Sequence, residues 1–246
     1  MKDDIKLLKS KFNKIKNFDW IKLDEKNFGQ IGLTFEKLVG VNTNEFEIPD
    51  FGSIEIKTKS KTKYDYISLF NCVPTGPHYH EIERIKDLYG YPDSTLKMFK
   101  VFNGEVFCNK LTKIGTNFYF KLNVYKSQKI IKLIVYNKEK NKIEEEIYWD
   151  FSILEEKLNR KLTYLALVNV VKKNIDGKKF YKYNSMHIYK LKGFKTFIEL
   201  LEQGIIKINF KIGIYKDKKR LGKIHDRGTA FLIKGKYINK LFDYIE

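Results

Sequence analysis

Apolar and polar positions along this chain recur with two periods. Ile5, Leu8, Phe12 and Ile15 fall at helical spacing, which predicts an amphipathic helix over residues 1–20. A second helix is predicted over 33–39, between Gly32 and Gly40. Residues 47–58 read as two short strands around the turn Phe51-Gly52-Ser53. A strand over 66–73 is ended by Pro74 and Pro77, and 78–90 reads as helical. The stretch 95–136 is strand-rich, with runs at 96–101, 118–124 and 130–136 between Gly or Asn turns. Asp150 or Ser152 caps a predicted helix reaching Asn159. The run 163–171 is almost unbroken apolar sequence, which implies a strand buried on both faces. Further on, the pattern predicts a helix over 194–203, an alternating strand over 206–215, a basic loop over 216–223, a strand over 229–233 and a final helix over 236–244. The mixture predicts an α/β fold, not a helical bundle. No repeat, Pro-rich linker or Gly/Ser tract divides the chain, so any lobes are interwoven or tightly abutted.

Length and charge narrow the function. The chain has 246 residues, 48 Lys+Arg against 30 Asp+Glu, and a net charge of +18. That surplus points to a polyanion, nucleic acid before an anionic membrane. Lys dominates, and Arg occurs only at 84, 160, 220 and 227, so part of the surplus reflects a lysine-biased composition. The start, MKDDIKLL, carries acids beside its first Lys and no apolar core, unlike a secretory signal. No apolar run approaches the ~18 residues of a membrane span. Cys72 and Cys108 are far apart and fit two free thiols in a reducing cytosol, and no Cys/His spacing resembles a zinc site. A cytoplasmic protein is expected.

One constellation carries chemistry. Alternate residues of a strand share a face, so Glu55 and Lys57 point one way while Ile54 and Ile56 face the core. The turn at 51–53 can bring Asp50 beside Glu55. Two carboxylates and an ammonium then converge. Such hard oxygen ligands suit Mg²⁺, which lowers the pKa of a bound water and polarises a phosphate. Lys57 would orient that water and stabilise developing negative charge. Glu36, on the preceding helix, could help hold a second metal or orient Lys57. The bare pattern Asp-(x)4-Glu-x-Lys is weak, because about one chance match is expected in so lysine-rich a chain. A surface hairpin with a Glu–Lys pair would look the same. The burying isoleucines and the helix carrying Glu36 raise its weight.

Gly32-Leu33-Thr34-Phe35-Glu36-Lys37-Leu38, followed by Pro49-Asp50-Phe51-Gly52-Ser53-Ile54-Glu55-Ile56-Lys57-Thr58, resembles the MvaI/BcnI family of type II restriction endonucleases. That family is related to the mismatch-repair nickase MutH within the PD-(D/E)xK nuclease fold. The resemblance continues through Ser68-Leu69-Phe70, Pro74 and Pro77, Tyr164-Leu165-Ala166 and Tyr181-Lys182-Tyr183-Asn184-Ser185. It ends with 213–215 and His225-Asp226-Arg227-Gly228-Thr229-Ala230-Phe231, while about 85–140 matches poorly.

The resemblance implies a PD-(D/E)xK restriction-endonuclease-like α/β core, a mixed sheet flanked by helices, with a β-rich DNA-recognition lobe. Residues 1–80 and 145–175 would form the catalytic lobe, and 81–144 and 176–246 the recognition lobe. Asp50 and Glu55 would be metal ligands with the Ile56 carbonyl, Lys57 the catalytic lysine and Glu36 the helix carboxylate. The cofactor would be one or two Mg²⁺ ions, with Mn²⁺ substituting and Ca²⁺ binding without cleavage. The enzyme would hydrolyse double-stranded DNA as a monomer, nicking each strand in turn, in a bacterial cytoplasm. A methyltransferase is expected as genetic neighbour, not as a bound subunit. A MutH-like nickase and a non-catalytic basic DNA-binding protein are the alternative readings.

The reading element is expected in 206–233. Lys216, Lys218, Lys219, Arg220 and Lys223 form a basic loop suited to phosphates. His225, Asp226 and Arg227 follow; Arg reads guanine O6/N7, Asp accepts from cytosine N4, and His serves either role. A polar turn with a local ion pair is the bland reading of the same three residues. Where the family carries Asp-x-Arg before Gly-x-Tyr, this chain has Asn209 and Lys211. Where the family has His after His-Asp, it has Arg227. The same chemistry on a different target is therefore expected. Gly213-Ile214-Tyr215 lacks the partner motif of GIY-YIG nucleases and reads as strand, with Tyr215 at the groove. His225-Asp226 lacks the further ligands of an HD phosphohydrolase, and His78-x-His80 lacks a third metal ligand. Tyr64, Tyr66 or Tyr79 could line the minor groove.

Overall fold

The computed structural model describes residues 2–24, 29–41, 48–60 and 65–246. Glu47 and Tyr64, both invoked above, lie outside them. The chain forms two compact, interleaved units: 1–67, 157–193 and 238–246 in one, 68–156 and 194–237 in the other. These boundaries differ from the sequence-based ones at 68–80, 145–156, 176–193 and 238–246. For the last two the reason is pairing: Lys178–Leu191 is the antiparallel partner of Tyr164–Ile175 along its length, and Phe242–Tyr244 pairs with Lys178–Leu191 in turn.

The first unit is a mixed sheet carrying two helices. Its strand order is Ile21–Lys22, Lys178–Leu191, Tyr164–Ile175 and Ile54–Ser60, with Phe242–Tyr244 also on Lys178–Leu191. Among its described strands only Ile54–Ser60 and Tyr164–Ile175 run parallel, and Ile54–Ser60 is an edge. The helix Lys2–Lys16 buries Ile5, Leu8, Phe12 and Ile15, the four positions its periodicity picks out. They join Phe35 and Val39 of the helix Gln30–Val39, and Ile54, Ile56, Ala166, Val168 and Tyr183 of the sheet. Phe35 meets Tyr183 edge-on at 5.0 Å between ring centres, and the Tyr183 hydroxyl donates to the Ile31 carbonyl at 2.7 Å. These contacts fix the helix that carries Glu36 over the sheet.

The second unit has two sheets. One orders Tyr148–Asp150, Ile130–Tyr136, Phe118–Tyr125 and Thr112–Ile114, with Lys142–Glu144 also on Ile130–Tyr136. The other orders Tyr66–Asn71, Ala230–Lys234, Ile206–Ile214, Lys100–Val106 and Tyr91–Pro92, with Ile224–Asp226 also on Ile206–Ile214. Its core is aromatic. Trp149 is fully buried among Phe210 and Phe231, and its Nε1 donates to the Cys72 carbonyl at 3.0 Å.

Three predicted elements shift. The described part of 47–58, residues 48–58, gives one strand and not two. Phe51 and Ile54 exchange one pair of backbone hydrogen bonds, both 2.9 Å, around Gly52 at φ 57°, and a single strand, Ile54–Ser60, follows. The segment 96–101 is mostly turn, because the Asp93 carboxylate accepts from the Thr95 and Leu96 amides and holds them out of a ladder. That strand is Lys100–Val106. The C-terminal helix is a single α turn, Ile238–Leu241, after the 3₁₀ turn Gly235–Tyr237.

Candidate active site and reading face

The predicted catalytic residues meet in the first unit. Asp50 sits just ahead of the Phe51–Ile54 turn, and its Oδ2 accepts the Ile56 amide at 2.8 Å. That bond shows which way the strand faces. A strand residue's N–H and C=O point to the same side, so the Ile56 carbonyl also points to the open edge, away from Tyr164–Ile175. Glu55 is buried, its side chain only 1% exposed, and its Oε1 pairs with the Lys57 ammonium. Its Oε2 is buried with no hydrogen-bond partner.

Lys161 is a member the sequence reading did not find. It lies in the last turn of the helix Phe151–Leu162, with its Nζ 3.5 Å from Glu55 Oε1. Register explains its position. Helix Phe151–Leu162 runs almost directly into Tyr164–Ile175, where Leu165 is the parallel partner of Glu55. In sequence, Lys161 is one lysine of many at a helix C-terminus, where any cation suits the dipole.

The electrostatics match a site awaiting positive charge. Burial pushes the Glu55 carboxyl up; Lys57 offsets this, Asp50 adds to it, and Lys161 offsets it again. Burial also pushes Glu36 up, with Asp50 raising it further and Lys57 and Lys161 drawing it down. Glu36 thus feels the same charges as Glu55. An unpartnered buried carboxylate oxygen costs roughly 1–3 kcal/mol or more. It fits a divalent cation, as does the all-oxygen set of Asp50, Glu55 and the Ile56 carbonyl. Among the described residues no cluster of three or more His, Cys, Asp or Glu side chains is found. Two carboxylates are what Mg²⁺ commonly takes from a protein when phosphate and water complete its shell.

The proposed reading residues lie in the second unit. Ile206–Ile214 turns Ile208, Phe210 and Ile212 into the core, and Asn209, Lys211 and Gly213 to the other face. Gly213 is opposite His225, and Arg227 donates its amide to the Lys211 carbonyl at 3.0 Å. Asn209, Lys211, Tyr215, His225 and Arg227 therefore share one face. Asp226 does not. It is opposite Ile212, turned the other way, and with Ile224 lines a cavity of about 250 Å³ beside Val73, Pro74, Tyr79 and Glu81–Glu83. Burial pushes its carboxyl up, and its Oδ1 accepts the Gly228 amide at 2.9 Å. Tyr79, at 96% exposure, stands at that cavity beside His80.

The basic loop divides. Lys219 and Lys223 are exposed. Lys216 is committed to Asp93 at 2.8 Å and Thr95 at 2.7 Å, and it holds the Asp93 carboxyl well below the usual range. Arg220 is bound to Asp217, Nη2 to Oδ2 at 2.9 Å, and lies 3.8 Å over the Tyr215 ring. The loop folds back on Phe99: Gly222, at φ 77°, lies so close that a Cβ there would come 2.3 Å from that ring.

Comparison with known proteins agrees with this fold. A comparison with curated proteins finds no match. Among solved structures, a restriction endonuclease MvaI–cognate DNA substrate complex is similar to this chain at 29% identity and TM-score 0.90, over 100% of this chain and 98% of that one. Restriction endonuclease MvaI in the absence of DNA is similar at 28% identity and TM-score 0.63, with the same coverage. The model of the MvaI/BcnI restriction endonuclease family matches residues 9–242. The chain belongs to the MvaI/BcnI restriction endonuclease family.

Proposed function

We propose that this site-specific deoxyribonuclease is a type II restriction enzyme. It would hydrolyse duplex DNA in the presence of Mg²⁺, as a monomer that nicks the strands in turn. The carrying observation is the buried Glu55 carboxylate, with one oxygen on Lys57 and the other unpartnered, beside Asp50 on an open strand edge. The unit holding that strand takes the catalytic role, and the unit holding 206–233 takes the reading role.

Asp50, Glu55 and the Ile56 carbonyl would hold the metal, which supplies Lewis-acid stabilisation and an acidified water when bound. Lys57 donates toward the attacking water and the non-bridging phosphate oxygens, where negative charge grows as the new P–O bond forms and the ester bond breaks. Lys161 adds a second cation beside Glu55 and limits the rise of its carboxyl. Glu36 would help orient Lys57 or hold a second metal, a reading supported by the charges of Asp50 and Lys57 that it feels. On the other unit, Arg227 offers the planar fork that suits guanine, and Lys219 and Lys223 supply sequence-independent phosphate contacts.

Plasmid digestion tests the reading. With Mg²⁺ the purified protein should give discrete bands that vanish in Lys57→Ala and Asp50→Ala. Absence of cleavage on any methyl-free DNA would sink it. Cutting without an added activator separates it from a MutH-like nickase, and steep salt-dependent binding without cutting would favour a binding protein. Two chains per duplex in sedimentation with the mapped site would contradict the monomer.

A further inference from the structure

The segments Gly213–Tyr215 and His225–Arg227 meet across an antiparallel strand pair at one register point. Gly213 is opposite His225, so His225 meets no side chain directly across. Its diagonal neighbour Tyr215 fills that space: the two rings stack at 4.2 Å between centres, 10° from parallel. On the other face of Tyr215 lies the Arg220 guanidinium, at 3.8 Å, fixed by Asp217. The result is a three-layer stack with Tyr215 in the middle and His225 at one end. The blank left by glycine is used as well. A Cβ on Gly213 would come 3.1 Å from Arg227 Nη2, so the guanidinium lies over the glycine.

We infer that Tyr215 and Arg220 are positioning residues that fix the plane of His225, and that Gly213 is the seat of the Arg227 guanidinium. The inference rests on the DNA-reading role proposed above. It changes the part played by Arg220, which serves base recognition through Tyr215 instead of neutralising a phosphate. Two adjacent readers, each with its own support on the opposite strand, would specify two different base pairs, the Arg227 one holding a guanine.

The sites cut by the wild type are first mapped by sequencing the ends of digested DNA. Preference is then measured on duplexes carrying the site and each single-base-pair change, as kcat/KM with Mg²⁺ and as equilibrium binding with Ca²⁺. Binding to a random-sequence duplex pool gives the same information if cutting is absent. Tyr215→Leu and Arg220→Gln should lose roughly 10- to 100-fold of preference at one base pair, while Tyr215→Phe keeps it. Gly213→Ala should lose preference at a different, guanine-containing pair. Affinity for unrelated DNA, its salt slope and the melting temperature should stay at wild-type values in Arg220→Gln.

A phosphate role for Arg220 would instead lower its affinity on all sequences and reduce the salt slope by about 1; that result overturns the inference. Preference unchanged in Arg220→Gln and Tyr215→Leu, preference lost evenly over all base pairs, or a wild type that binds without preference would overturn it too. Arg220 is exposed, so its variant decides the matter even if Tyr215→Leu does not fold. A wild type that binds selectively without cutting defeats the nuclease reading alone.

Discussion

Asp50 has two duties that can be separated by experiment. Its Oδ2 accepts the Ile56 amide at 2.8 Å, and its charge raises the carboxyls of Glu36 and Glu55. Asp50→Asn keeps an acceptor oxygen for Ile56 and removes the charge. Asp50→Ala removes both. Losing a partly buried, charge-assisted acceptor costs about 1–2 kcal/mol, less than the 1.5–3 of a fully buried one, because the sheet edge lets some water replace it. Asp50→Ala should therefore unfold about 1–2 kcal/mol earlier in urea with EDTA present, a fall of roughly 2–8 °C in melting temperature for a chain this long. Asp50→Asn should stay within about 0.5 kcal/mol of wild type. Both should lose Mg²⁺-dependent cleavage by at least about 1000-fold. Ca²⁺ should stabilise only the wild type, by about 2.7 kcal/mol at one hundred times its dissociation constant. Wild-type cleavage by Asp50→Asn, or unchanged stability in Asp50→Ala, would refute the two-duty reading.

Other outcomes follow from the same geometry. Glu55 and Glu36 are pushed above the ordinary glutamate value of 4.5. A carboxyl raised in the fold stabilises the protein below its unfolded pKa, and that stability is lost as pH rises through the folded value. Urea midpoints of metal-free wild type should thus fall relative to Glu55→Gln as pH rises from about 4.5 to 8; a constant difference would count against the burial argument. Lys161→Gln should slow cleavage by about 10-fold or more at saturating DNA, with partial rescue in Lys161→Arg, as single-turnover kinetics would show. Trp149→Ala should cost about 3–5 kcal/mol by urea unfolding, since it empties a fully buried site and removes the Nε1 donor to the Cys72 carbonyl.

Much of this fold was legible because the core positions keep strict periods. Ile5, Leu8, Phe12 and Ile15 are buried as their spacing requires, and Ile54 and Ile56 are buried on one side of the catalytic strand. Lys178–Leu191 was missed because lysines at 178, 179, 182 and 190 hide the alternation of its buried Tyr181 and Tyr183. Lys161 was invisible for a different reason. It reaches Glu55 only through the parallel register of Leu165, a relation between residues more than a hundred positions apart. The triplet His225-Asp226-Arg227 reads in sequence as one cluster. Strand alternation sends its middle member to the opposite face, and no composition argument distinguishes the two cases. The supports Tyr215 and Arg220 look like ordinary strand and loop residues until their rings and charges are stacked.

The position of the strand proposed to be catalytic fits what its chemistry needs. An edge strand leaves backbone groups unpaired, which is usually a hazard. Here, among the described residues, Ile54–Ser60 is paired on one side only, with Tyr164–Ile175. Asp50 takes the free Ile56 amide, leaving on that same side a carbonyl that an interior strand would have spent on its neighbour. Side-chain alternation then puts Glu55 and Lys57 together, while Ile54 and Ile56 anchor the strand to the core. At such an edge a main-chain oxygen and two carboxylates can converge on one cation. The same arrangement leaves Glu55 buried and half satisfied, a strain on the metal-free fold that a divalent cation would relieve. That strain is why the site's electrostatics are more distinctive than its sequence motif.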